Sequence, residues 1–115
     1  MLDIDRNQNI TLTRGDTAYI DVTGFQNNDG ETYTLIDGDK VYFRLGTNPI
    51  LEKELTLDLI NNKAVLHLVP ADTMNLPYSI FKFEVEVVTS IGDHYTCIAD
   101  RNFTISKEVE VHNGN

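Results

Sequence analysis

The 115 residues carry 18 acidic and nine basic side chains, a formal charge of −9, and 41% hydrophobic content, which is material for one compact domain and too little for two. Leu, Ile, Val and Phe number 35, above the level at which acidic chains stay disordered, and Val, Ile and Thr total 31 against four Ala, which favours strands over helices. The negative field repels phosphate, so nucleic acid and anionic lipid are disfavoured as partners.

Residues 1–9 are polar and without periodicity, and a loosely ordered lead-in is expected there. Ile10–Thr13, the turn Arg14-Gly15-Asp16 and Thr17–Val22 read as strand, turn, strand, with Ile10, Leu12, Ala18, Ile20 and Val22 pointing inward. The connection from Thr23 to Asp39 is rich in Asn, Asp and Gly, holds a tight turn at Asn27-Asn28-Asp29-Gly30, and is strand-like only at Tyr33-Thr34-Leu35. Lys40–Leu45 alternates cleanly and predicts a central strand with Val41, Phe43 and Leu45 in the core. Gly46-Thr47-Asn48-Pro49 breaks it, and the mixed pattern from Ile50 to Leu59 fits a strand or a bent ribbon.

Asn61-Asn62-Lys63 turns into a strand over Ala64–Val69, with Ala64, Leu66 and Leu68 on one face. Pro70–Pro77 is the one helical candidate, a single turn near residues 70–76 between two prolines. In Ser79–Thr89, Phe81, Phe83, Val85 and Val87 alternate with Lys82, Glu84 and Glu86, the strongest strand signature in the chain. Ser90-Ile91-Gly92-Asp93 predicts a hairpin turn, His94–Ala99 a returning strand, Asp100-Arg101-Asn102 a further turn, and Phe103–Val109 the last strand, with Val111–Asn115 frayed. Seven to eight short strands and no covering helix predict an all-β, antiparallel, two-sheet sandwich, with a small closed barrel as the structural alternative. The chain is expected to be a single domain over residues 1–115, ordered from about 8 to 110, with no repeats or linkers.

No group of residues spells out a reaction. Arg14-Gly15-Asp16 matches an adhesion tripeptide, but Gly and Asp at these positions also make an ordinary tight turn. Asp29, Glu31, Asp37 and Asp39 bracket one loop without the spacing of a calcium loop, and the expectation is a solvated loop. His67, His94 and His112 lie far apart, with no zinc spacing between them or to Cys97. A lone Cys97 cannot form an internal disulfide, and alternation places it with Tyr95 and Ala99 on one face as a structural thiol. Ser79, Ser90 and Ser106 lack a nucleophile elbow, the seven glycines form no phosphate loop, and Glu84 and Glu86 sit beside Lys82 on what reads as an exposed strand face. These readings predict no enzyme, no catalytic or metal residues and no cofactor.

Taken in order, Ile10-Thr11-Leu12-Thr13-Arg14-Gly15-Asp16-Thr17 with Ile20 and Val22, Tyr33-Thr34-Leu35, and Gly38–Phe43 resemble the opening of small tail-associated domains of siphophages and prophages. Leu68-Val69-Pro70-Ala71-Asp72-Thr73 with Leu76, the Phe81–Val87 strand, Gly92, Tyr95-Thr96 and Phe103-Thr104-Ile105 resemble the same group, typified by the N-terminal domain of phage baseplate upper proteins. The resemblance spans about residues 8–108. It departs at Leu76-Pro77-Tyr78-Ser79, where such domains often carry a Gly-x-Tyr lead into the long strand. The resemblance implies an immunoglobulin-like sandwich that assembles into a virion tail or baseplate without catalysis or cofactor.

The functional expectation is a structural module acting by protein–protein contact, with other tail or baseplate proteins or as a homo-oligomer, through unpaired edge strands. Such a protein would be made in the bacterial host cytoplasm and end in the virion. No apolar stretch approaches the roughly 20 residues of a membrane helix, and no leader pattern precedes the first strand. The alternative is a carbohydrate or cell-surface binding module using Tyr19, Tyr33, Tyr42, Tyr78 and Tyr95 as stacking platforms, against which stands the absence of Trp.

Overall fold

A computed structural model describes residues 1–107. Nine strands and one short helix follow in the order β1 (Leu2–Ile4), β2 (Ile10–Thr13), β3 (Ala18–Val22), β4 (Lys40–Leu45), β5 (Leu51–Glu54), β6 (Thr56–Asp58), β7 (Lys63–Leu68), α1 (Pro70–Met74), β8 (Ser79–Val88) and β9 (His94–Ser106). They form two sheets, one of six strands in the order β1-β2-β9-β8-β4-β5 and one of three in the order β3-β7-β6. Apart from α1, the regular structure of the described residues is all β. Among the described residues no helix is long and apolar enough to cross a membrane.

Alternation decides what each strand buries. Ala18, Ile20 and Val22 of β3 and Ala64, Leu66 and Leu68 of β7 turn inward from the small sheet. Val41, Phe43 and Leu45 of β4 and Phe83, Val85 and Val87 of β8 meet them from the large sheet, and all of these belong to one core cluster. Its aromatic centre is a triangle of Phe43, Phe83 and Phe103, with ring centroids 5.5, 5.7 and 6.2 Å apart and the Phe83 and Phe103 rings nearly perpendicular. Such edge-to-face geometry adds to the area buried.

Several expectations change. Residues 1–9 are not a loose lead-in throughout, because Leu2–Ile4 pairs antiparallel with β2. The two strands around Arg14-Gly15-Asp16 do not make a hairpin. Strand β2 runs parallel to β9 from Ile10↔Phe103 to Thr13↔Ser106, whereas β3 pairs with β7 in the other sheet, so the turn arches between sheets. Both strands still point their apolar faces into the same core, which is why local alternation cannot tell an arch from a hairpin.

The Ile50–Leu59 segment is a bent ribbon: β5 pairs with β4, buried Leu55 donates its N–H to the Val41 carbonyl, and β6 then joins β7 in the second sheet. Asp100-Arg101-Asn102 does not turn the chain. Pairing with β8 shifts by one residue between Phe83↔Arg101 and Val85↔Ile98 and again before Glu86↔Thr96, so β9 is continuous with two one-residue bulges. Asp100 takes the irregular backbone at φ 62°. The predicted final strand ends at Ser106, and Glu108, Val109, His112 and the tail lie outside the described residues.

Helix α1 starts with Pro70 at its first position, where a missing N–H costs nothing. Asp72 accepts the Val69 N–H and a Lys53 ion pair, both at 2.8 Å, which fixes the helix start against β5. Behind it, the Thr73 hydroxyl accepts the Gly15 N–H at 2.8 Å. Gly15 holds φ 83°, and a Cβ there would come within 2.8 Å of the Met74 methyl, the mobile end of a side chain. The left-handed backbone is therefore the larger obstacle to substitution. We expect Gly15→Ala to lower unfolding free energy by about 1–2 kcal/mol, and Phe43→Ala by about 3–5 kcal/mol, both read from denaturant midpoints.

Candidate functional site

At one end of the molecule, the 23–39 connection and the turns at 59–62 and 89–93 are drawn together by two polar side chains. Buried Asp39 accepts three hydrogen bonds: the Tyr33 hydroxyl at 2.8 Å and the Ile36 N–H at 2.9 Å on Oδ2, and the Ser90 N–H at 2.9 Å on Oδ1. Burial, with the bond to Asp39, pushes the Tyr33 hydroxyl up to about 12. Asn62 accepts the Leu35 N–H at 2.7 Å and donates to the Tyr33 carbonyl at 3.2 Å. Asp39 is thus a structural knot and departs from the solvated loop expected of this acidic segment, while Asp29, Glu31 and Asp37 are exposed as expected. Among the described residues no three His, Cys, Asp or Glu side chains converge as a metal site.

On the outer face of the large sheet, Arg44 of β4 collects the acids that flank it across the ladders. Its Nε lies 2.5 Å from Glu52, and its Nη1 lies 2.7 Å from Glu86 and 3.3 Å from Glu84. Cross-strand register sets this up, since Arg44 sits opposite Glu52 on one side and Glu84 on the other. Burial alone would raise the Glu86 carboxyl, but hydrogen bonds from Arg44 and from His94, at 3.2 Å, hold it below the usual glutamate range. Arg44 and these acids form one ion network. Lys82 turns away to the Asp100 carbonyl at 3.5 Å.

The remaining sequence candidates are engaged in the fold. Arg14 stacks on the Tyr78 ring at 4.2 Å, its backbone N–H donates to the Ser106 carbonyl, and Asp16 pairs with the Met1 amino group. The tripeptide is half-buried, in keeping with a structural turn. Tyr33 and Tyr95 meet edge-on at 5.3 Å, Tyr42 lies beside Arg44, and Tyr19 stacks on His67 at 4.2 Å with the rings nearly parallel. Cys97 is half-buried against the core, and burial raises its thiol pKa, which lowers its reactivity. Ala99, placed with it by alternation, is exposed, because a bulge resets the strand after Cys97.

Among the described residues, strand pairing leaves β3 as an open edge that sequence periodicity did not reveal. Of the four outermost strands, β1 and β6 have only three residues, and β5 carries Glu52, Lys53 and Glu54, devices that discourage added strands. Strand β3 has five residues, no proline and no bulge, and only Asp21 is charged. Beside it the two sheets part over a mainly apolar cleft of about 110 Å³ whose lining includes Ile4, Ile10, Val22, Phe43, Val85 and Ile98, with the polar residues Gln8, Asp21 and Thr23. Small-molecule pockets run to roughly 300–1,000 Å³. The cleft is sized for an inserted side chain and stands next to backbone able to pair with an added strand. Comparison with protein-family models, curated proteins and solved structures finds no match to this chain.

Asp39→Ala leaves three donors without their acceptor and should cost at least about 2 kcal/mol in chemical denaturation. Because folding depresses the Glu86 pKa, its contribution is present above the ordinary glutamate range and is lost as pH falls through the depressed value. Glu86→Gln should therefore give a shallower acid limb when denaturant midpoints are plotted against pH.

Proposed function

We propose that this chain is a non-catalytic structural module of a phage or prophage tail or baseplate, working by protein–protein assembly at the open β3 edge. The observation that carries the reading is that edge and the apolar cleft beside it, where an incoming strand would gain backbone hydrogen bonds and seat a side chain. Its partner is an extended segment of a neighbouring tail or baseplate protein, or of another copy of this chain. The ordered motifs from Ile10 to Ile105 support the phage assignment.

An immunoglobulin-like sandwich is the fold we assign. The β9-β8-β4-β5 and β3-β7-β6 orders parallel the G-F-C-C′ and B-E-D strands of that family, and the two sheets share one core. Here no disulfide joins the sheets, since Cys97 is the single cysteine, and the Phe43, Phe83 and Phe103 triangle fills the centre. With a charge of −9, nucleic acid and anionic membrane are poor partners.

Mass spectrometry of purified particles from a host carrying this gene tests the assignment. The wild-type protein should be a particle component, and its absence from particles would refute the tail reading. Ile4→Asp places a charge at the cleft from a side chain that is 46% exposed. That variant should keep the wild-type melting temperature and lose incorporation by about 10-fold or more, equivalent to about 1.4 kcal/mol. Undiminished incorporation would rule out the β3 edge as the docking site.

A further inference from the structure

Three isoleucines project from the loop end of the molecule: Ile60 is 95% exposed, Ile91 83% and Ile36 52%. Each occupies a turn or loop, where Gly, Asn, Asp and Ser have physical reasons to be found and a β-branched apolar residue has none. The three segments are joined. Asn62 holds Leu35, Asp39 holds both Ile36 and Ser90, and a Cβ on Gly38 would lie 3.0 Å from that of Ser90. Single exposed apolar residues are ordinary on a protein surface, but three on mutually tied loops gather exposed apolar area at one end of the molecule.

Two further observations give the patch a direction. The turns are already locked, Asn61 N–H donating to Asp58 at 3.1 Å and Asp93 N–H to the Thr89 hydroxyl at 2.9 Å, so binding would freeze little additional motion. Asp37 adjoins Ile36 in the chain, Asp58 precedes Ile60 by two residues and Asp93 follows Ile91 by two. Among the described residues, the basic side chains at these strand ends are Lys40, Lys63 and His94, of which Lys63 is engaged by Asp21 at 3.1 Å and His94 by Glu86 at 3.2 Å. This end therefore carries exposed isoleucines together with an excess of acids.

We propose that this end is a second docking surface, and that its occupant is a protein with an apolar pocket rimmed by lysine and arginine. A second copy would bring its own acids against these, and anionic headgroups would meet the same repulsion. The inference stands on the loop geometry and does not rest on the tail assignment.

Photoreactive benzoylphenylalanine placed at position 60 or 91 in the full chain, in the producing cell, tests it, with position 47 at the opposite end as the control. We expect a partner cross-linked from 60 and 91 and not from 47, attached within an apolar pocket bordered by basic residues. With that partner purified, Ile60→Ser/Ile91→Ser should weaken binding by about 10-fold or more at unchanged melting temperature. Asp37→Lys/Asp93→Lys should also weaken it, as should added salt. The proposal is overturned if positions 60 and 91 give no product or only this chain's own dimer, or if the serine variant binds the partner as tightly as wild type. It is equally overturned if the chain binds phosphatidylcholine vesicles through these isoleucines.

Discussion

Everything in this molecule depends on a single apolar layer shared by two sheets with no disulfide across it. Phe43, Phe83 and Phe103 from the large sheet face Ile20, Leu66 and Leu68 from the small one, all buried. A slip of one residue in any of these strands would turn its core side chains to water, so the layer also enforces the registers. The ribbon that crosses between sheets at Leu55 ties the two halves through continuous chain. Outside the layer, polar groups hold the ends: Asp39 and Asn62 at the loop end, Asp72 and Thr73 at the helix end.

The unequal sheets give the surface its character. Six strands cannot be matched by three, and among the described residues the mismatch leaves the β3 edge and the cleft beside it without a covering strand. The same protein shields its other outermost strands by shortness or charge. That contrast, within one chain, is the physical basis for reading β3 as an assembly edge.

Much of the fold was legible because it is local. Alternation over Lys40–Leu45, Ala64–Val69 and Ser79–Thr89 identified the buried faces correctly, and two prolines located the helical turn. Pairing was not legible. Whether Ile10–Thr13 joins its sequence neighbour or residue 103 is settled by contacts about ninety positions away, and periodicity contains no trace of that choice. Asp39 was hidden for the same reason: Asp37-Gly38-Asp39 reads as a solvated turn until Ser90, 51 residues on, is seen to donate to it. Ile36, Ile60 and Ile91 were visible only as residues within loops, since nothing in a linear reading places three separate turns on one surface.

The parallel pairing of β2 with β9 has a consequence for how the protein comes into being. In the large sheet, β9 lies between β2 and β8, so β1 and β2 have no hydrogen-bonded route to the rest of the sheet until β9 is in place. The first strands made must wait for the last. Such closure between distant parts of a chain is entropically slow and keeps apolar strands open meanwhile. During synthesis, then, the nascent chain holds Leu2, Ile10 and Leu12 without their β9 partner until residues 103–106 have emerged, and the sheet is completed only after that.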